Sequence, residues 1–371
     1  MSSFRGAIAC IRMVAQRTCR LQKSPSRFAS AGILVLALVS GLSGLGSSPL
    51  IYGRSGAATV SPLYGVACPT ISACVAVGSE VIASSNGGRS WIVDPSPSVL
   101  FGGPNARILT DVWCSTTKNC VAVGWGGIVI MTTNGGLRWI VGSAPERTGA
   151  LAAVSCSSVD TCVAVGEMES GAPAIISTAN GGMTWHRHAV PAAVTQLSGI
   201  TCRSSGSCIA TGGEHTKGAI ISTTNNGSTW KVEKVPSDVK YVSAASCPSE
   251  LKCLAVTASS GAIGVVVTSD GGALWHGLPF PQGVSALSVS CPTARDCVAV
   301  GSNAVLAAGR IATTSNGGAS WVLPPVPGNG ARLYGVTCPS AKVCMAVGTS
   351  EGGLVLTTTN GGASWRAHTV F

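Results

Sequence analysis

One pattern recurs seven times along the 371-residue chain and leaves little freedom for its fold. Its first half is a cysteine pair with five residues between, followed by a small apolar run, as in "CPTISACVAVG" at 68–78. The pairs are Cys68/Cys74, Cys114/Cys120, Cys156/Cys162, Cys202/Cys208, Cys247/Cys253, Cys291/Cys297 and Cys338/Cys344. They start 42–47 residues apart. The second half is a turn sequence of the type "SSNGGRSW", ending on Trp91, Trp139, Trp185, Trp230, Trp275, Trp321 and Trp365. Five residues before each Trp stands Asn86, Asn134, Asn180, Asn225, Asp270, Asn316 or Asn360. Two signals kept in phase at this period mark a repeat architecture.

Each repeat reads as four short strands. The first is of the "LYGVAC" type and the second of the "CVAVG" type; the third runs into the Asn–Gly turn, and the fourth begins at the Trp. β-Branched runs bounded by Gly are strand signals, and nothing beyond residue 60 has helical periodicity. Four strands per roughly 45 residues predict an all-β chain, a seven-bladed β-propeller with four antiparallel strands per blade. The blades are expected at about 63–108, 109–150, 151–196, 197–241, 242–285, 286–332 and 333–371. Small residues before each first cysteine ("GVAC", "AVSC", "GITC", "AASC") suit a strand beside a crowded axis. The chain shows no spare strand for overlapping closure. Blades one and seven are expected to seal by face packing, unless "SGAATVS" adds an edge strand.

The cysteines of each pair flank a five-residue hairpin loop, which brings them within bonding distance. One disulfide within each blade is expected, each stabilising by about 2 kcal/mol on the loop-entropy view. Metal ligation is the alternative, but the chain has 5 histidines and no clustered third and fourth ligands. No cofactor or metal is expected. The Asn–Gly turn reads as a structural turn, because Asn tolerates positive φ and bonds nearby amides. A calcium or ligand loop is the competing reading. The Trp that follows buries apolar surface between blades.

The first 62 residues differ from the rest. Residues 1–27 are basic and acid-free, and 28–48 hold the apolar run "FASAGILVLALVSGLSGL"; 49–62 form a linker to the propeller at 63–371. This reads as a cytoplasmic leader followed by a signal-peptide core or membrane anchor, with the remaining chain outside. Cleavage and retention of the segment both fit. Cys10 and Cys19 fall in the leader and are expected to stay free. Export also supplies the oxidising compartment that disulfides need. The net charge of +10 rests largely on this region, since seven of the 24 basic residues precede the first acid, Glu80. The folded part is only mildly basic, so a nucleic-acid partner is not indicated.

The pattern Ser/Thr-x-Asp/Asn-x-Gly-x-Ser/Thr-Trp resembles the Asp-box, or BNR repeat. Copies occur in sialidases, sortilin-type receptors, xyloglucan-degrading glycosidases and the photosystem II stability/assembly factor family. The resemblance covers about 63–371, with Asn in place of Asp in six copies and Arg138 and Leu274 replacing the residue before Trp. It implies a propeller strongly and an activity weakly, because one fold hosts many functions.

Cysteine loops and Asn–Gly turns are expected on one face of the disc. The opposite face carries the second-to-third-strand loops and the links between blades, which differ from repeat to repeat. Variable loops on a rigid frame are where recognition concentrates. On that face Tyr64 and Tyr334 occupy equivalent positions in blades one and seven, with Asp111, Trp125, Arg107, Arg147 and Arg332 nearby. They are expected to converge at the axis mouth as a polar–aromatic site for a carbohydrate or a carboxylate. The competing reading is packed tyrosines with solvated arginines. Arginines, a tyrosine and an aspartate loosely match a sialidase set. However, the Arg-Ile-Pro motif that sialidases carry is absent, sialidases have six blades, and the chain has only six aspartates. The reading is therefore a non-catalytic extracytoplasmic binding scaffold for an envelope or extracellular protein or glycan. An exo-glycosidase and an assembly factor for a membrane complex are the alternatives.

Overall fold

The computed structural model describes residues 62–94, 108–257, 263–303, 308–328, 331–350 and 352–370. The basic leader, the apolar segment, Cys10, Cys19 and Arg107 lie outside the described residues. Among the described residues no helix is long and apolar enough to cross a membrane.

Seven antiparallel sheets follow one another along the chain, each built from consecutive strands. Blade 3 shows the pattern in full, with strands Thr148–Cys156, Cys162–Met168, Pro173–Thr178 and His186–His188. Six sheets have four strands. In blade 6 the fourth shrinks to a bridge between Thr313 and Val322. There Pro324 and Pro325 follow two residues behind Val322, and proline has no N–H for the ladder.

All seven cysteine pairs form disulfides within their own blade. The bonds are Cys68–Cys74, Cys114–Cys120, Cys156–Cys162, Cys202–Cys208, Cys247–Cys253, Cys291–Cys297 and Cys338–Cys344. The first cysteine ends the inner strand or follows it by one residue. The second opens the next strand rather than lying in the loop, and Cys74, Cys120, Cys162, Cys208, Cys253, Cys297 and Cys344 are all buried. Each therefore joins the apolar core as well as stapling the hairpin, because the strand it begins is covered on both faces.

The loop that each disulfide closes is tied to the Asn–Gly turn on the same face. Gly87 N–H donates to Ser72 O at 2.8 Å, and Gly135, Gly181, Gly317 and Gly361 donate likewise to Lys118, Asp160, Arg295 and Lys342 at 2.9 Å. The acceptor is always the fourth residue after the first cysteine.

The second strand of each blade, "CVAVG" in type, is buried along its length, because both faces of every sheet meet a neighbour. The apolar core is accordingly divided into seven clusters, each between two adjacent blades. Trp139 packs with blade 1 residues Val75 and Val77, and Trp185 with blade 2 residues Val121 and Val123. The ring closes by the same means. Met345, Val347 and Val355 of blade 7 pack on Leu63, Val66 and Ile82 of blade 1, and among the described residues no strand is shared between the two sheets; the segment "SGAATVS" lies outside them.

The inner strands surround the axis, and all seven carry a β-bulge four residues before the cysteine. The register skips Tyr64, Thr110, Ala152, Ser198, Ser243, Leu287 and Tyr334. A bulge kinks the strand and re-aims the extra side chain. The carbonyl two residues before the bulge residue lies against the second strand. A Cβ on Gly212 would lie 1.9 Å from Gln196 O, and one on Gly348 would lie 1.8 Å from Arg332 O. That is the physical reason for the terminal Gly of "CVAVG".

The free edge of the inner strand in blades 3 to 7 is met by side chains from the blade before it. Ser155 Oγ accepts the Cys202 N–H at 2.9 Å, Ser246 accepts that of Cys291 at 2.9 Å, and Ser290 that of Cys338 at 3.0 Å. Thr110 Oγ1 donates to Leu151 O at 2.6 Å, and Ser198 Oγ to Ser243 O at 2.9 Å. Buried backbone groups need such partners, so these pegs hold the blades in register around the axis.

Candidate binding site

The bulge residues form a ring of seven around the axis, and its chemistry is uneven. Tyr334 and Tyr64 stand side by side across the junction of blades 7 and 1, with ring centroids 5.1 Å apart and planes tilted by 43°. Tyr64 is 8% exposed, and burial first, then its neighbour Tyr334, pushes its hydroxyl up to about 12. It therefore stays a neutral donor and acceptor at physiological pH. Glycines make the approach possible: a Cβ on Gly335 would meet Tyr64 O at 2.8 Å, and one on Gly65 would meet the Asp111 backbone at 2.7 Å. Beyond the tyrosines and Leu287 the ring is small, with Thr110, Ala152, Ser198 and Ser243. Next to Ser198 lies the buried Tyr241, whose hydroxyl burial pushes up while the Ser198 contact opposes the shift.

Asp111 is built into the frame beside this ring. Its Oδ1 accepts the Val112 N–H and its Oδ2 the Val154 N–H of blade 3, each at 2.9 Å. Burial pushes the carboxyl up to about 7, against the lowering effect of those two amides. Ser288 does the same job in blade 6, accepting the Val336 N–H at 3.3 Å.

Trp125 and Arg147 belong to a second group, at the junction of blades 2 and 3. Trp125 opens a 3₁₀ turn, Trp125–Gly127, which packs on the inner strand of blade 3. Its N–H donates to Ile108 O at 2.9 Å. Arg147 is exposed, holds φ at 58°, and its carbonyl accepts the Glu169 N–H at 3.0 Å. Positive φ in a bulky residue is uncommon and persists where surroundings impose it. Arg332 opens the inner strand of blade 7, two residues before Tyr334.

The structure thus joins the two tyrosines, places Arg332 on the strand of Tyr334 and Asp111 on the inner strand of blade 2, and sets Trp125 and Arg147 at another blade junction. Sequence reasoning did not single out Thr110, Ser198, Ser243 or Leu287. The signal was present, since each stands four residues before its cysteine, as Tyr64 and Tyr334 do. Among the described residues no group of three or more His, Cys, Asp or Glu side chains gathers as a metal site would require.

The fold is a disulfide-stapled, seven-bladed β-propeller whose inner strands bring Tyr64 and Tyr334 together. No family model and no curated protein matches the sequence. Among solved structures the chain is similar to YCF48 bound to D1 peptide, at 16% identity and a TM-score of 0.62, over 82% of this chain and 95% of that one. It is similar to the WD40 β-propeller domain of Doa1 at 12% identity and a TM-score of 0.58, over 82% and 95%. The GH74 xyloglucanase from Xanthomonas campestris aligns at 10% identity and a TM-score of 0.51, over 83% of this chain and 45% of that enzyme. These likenesses establish the fold; catalytic and non-catalytic propellers stand side by side among them.

Proposed function

We propose that the chain is a non-catalytic extracytoplasmic scaffold that recognises a protein segment at the axis mouth of its variable-loop face. The observation that carries this reading is the Tyr64–Tyr334 pair, two aromatic rings from opposite ends of the chain meeting at the ring's closure. Tyr64 is buried and backs Tyr334, the partly exposed ring, which offers rigid, amphipathic contact area at small entropic cost. That YCF48, a propeller of this architecture, has been seen with a bound peptide supports a protein ligand over a glycan. The role of an assembly or stability factor for a membrane complex is the more specific form of the same reading.

A glycosidase reading draws less support from the geometry. A sialidase-type enzyme needs, beside its tyrosine nucleophile, a carboxyl group free to exchange protons, and most other glycosidases need two. Both Asp111 oxygens are taken by backbone amides. The extracytoplasmic placement, secreted or anchored through the apolar segment, is supported by the basic leader and by seven disulfides, which persist in oxidising compartments. The turns are read as Asn-substituted copies of the Asp-box.

The test is crosslinking capture from envelope extract with the full chain and with two variants. In one, Tyr64 and Tyr334 are both Ala; in the other, the exposed Ile71 on the cysteine-loop face is Ser. Loss of a captured protein from the tyrosine variant alone supports the reading. Equal capture by all three removes the axis mouth from recognition. Capture of glycan and no protein replaces the protein partner.

A further inference from the structure

In five of the seven turns the Asn five residues before the Trp is followed by Gly, namely Asn86, Asn134, Asn180, Asn316 and Asn360; in blade 4 the Asn–Gly pair falls one residue later, at Asn226–Gly227. This dipeptide is the most prone of all to deamidation, because glycine leaves its own nitrogen unobstructed. That nitrogen attacks the Asn side-chain carbon, its proton passes to solvent base, and ammonia leaves. The resulting succinimide is opened by water at either carbonyl, giving Asp or isoaspartate. All five asparagines are exposed, so water and base reach them freely.

The fold opposes the first step in two ways. The attacking nitrogen is occupied, since Gly87, Gly135, Gly181, Gly317 and Gly361 each donate N–H to a carbonyl of the disulfide loop in the same blade. The side chain is also held away. Its Oδ1 accepts the hydroxyl two residues before (Ser84 at 3.0 Å, Thr132 at 2.9 Å, Thr314 at 2.8 Å) and the N–H four residues after. Its Nδ2 donates to the hydroxyl four residues after: Ser90 at 2.7 Å, Thr184 and Ser320 at 2.8 Å, Ser364 at 2.9 Å. Blade 2 lacks this last restraint, because Arg138 stands where the others have Ser or Thr and a guanidinium is not an acceptor.

We propose that these five asparagines are latent deamidation sites which the disulfide loop of the same blade keeps closed, with Asn134 the first to react. Opening the loop requires a thiol reductant, a dithiol for example, which cleaves the S–S bond to two thiols and is itself oxidised to a disulfide. The loop then loses its fixed hairpin and its carbonyl no longer holds the Gly N–H. Blade 5 shows that the turn tolerates the ordinary product. Asp270 already stands at this position and keeps the Thr268 hydroxyl at 2.6 Å and the Leu274 N–H at 3.2 Å. Isoaspartate lengthens the backbone by a methylene and cannot keep the turn.

The test is peptide mapping of Asp and isoaspartate after incubation of the full chain at mildly alkaline pH. Because reaction needs a local opening, each site in the oxidised protein is expected to react about tenfold or more slowly than in the urea-unfolded chain. In a Cys114→Ser/Cys120→Ser variant Asn134 should approach the unfolded rate while Asn86 and Asn180 stay slow. In Arg138→Ser, which restores the missing acceptor, Asn134 should slow to the rate of Asn180. Equal rates in the folded and unfolded chain overturn the proposal, as does an unchanged Asn134 in the cysteine variant. If all five rise together there, protection is global and the loop is not the guard. An Arg138→Ser protein with Asn134 unaltered overturns the ranking.

Discussion

Ser155 of blade 3 accepts the backbone N–H of Cys202 of blade 4 at 2.9 Å, across a boundary that no strand spans. Ser155 is wholly buried, so the amide has no water to turn to when the hydroxyl is removed. Ser155→Ala is expected to destabilise the fold by about 1–3 kcal/mol. Urea denaturation followed by tryptophan fluorescence measures it, and a change within error of zero would show that the amide finds another partner.

In six blades the second strand carries a glycine against a backbone carbonyl of the bulged segment; blade 5 places Thr257 there. Gly212→Ala brings a Cβ against Gln196 O, which is backbone and cannot swing aside. The expected cost is about 1–3 kcal/mol, typical of overpacking. Ala at Gly171, where nothing lies within 4 Å, is the comparison. That glycine has φ of 83°, so its own penalty is conformational and not steric. Thermal unfolding of the two variants separates the causes, because only Gly212→Ala should disturb the packing of the first strand of blade 4 on its second.

Two of the buried tryptophans differ in one bond. Trp185 Nε1 donates to Gly182 O at 2.9 Å, whereas Trp275 Nε1 is buried without a partner. Replacement by Phe removes a made bond in the first case and an unmade one in the second. Trp185→Phe is therefore expected to cost about 1 kcal/mol more than Trp275→Phe. Equal losses in chemical denaturation would contradict the assignment.

Asp111 should make stability fall as pH rises. Its carboxyl is raised from the ordinary 3.8 to about 7 in the folded protein, so the folded state holds a proton that the unfolded chain releases. The stabilisation is fully present below about pH 4 and is lost as pH climbs through about 7. Asp94, raised to about 6 chiefly by burial, acts in the same direction. Asp111→Ser copies Ser288, which caps the equivalent amide without titrating. Its urea midpoint should vary less between pH 5 and 8 than that of the native chain. An unchanged pH profile would locate the titration elsewhere.

Much of this architecture was legible in the sequence because it is local. A cysteine pair six residues apart, an Asn–Gly turn and a Trp five residues beyond it all act on near neighbours. Repeating them seven times states the blade count. The disulfide pairing follows from the same proximity, and the expected face packing of blades 7 and 1 is present. That the second cysteine of each pair is buried was less legible, since it follows from the neighbouring blade that covers its strand. One departure was also written locally, since Pro324 and Pro325 spell the loss of the outer strand in blade 6.

The site was only half legible. Equivalent positions in the repeat suggested that Tyr64 and Tyr334 belong together, and the rings do meet. Asp111 has the composition of a ligand-binding residue, yet its carboxylate serves two amides, one of them 43 residues away in blade 3. Trp125 and Arg147 lie on the same face by topology but at a different blade junction.

By itself the sequence determined the strands, the turns, the staples and their number, since each depends on interactions within a few residues. Only the tertiary structure decided what those units do to one another. Closing the ring places residue 334 against residue 64, sets a bulge in every inner strand, and lets blades 2 to 6 satisfy the free edge of the blade that follows. Those contacts join residues some 40 to 270 positions apart, and no local preference specifies them.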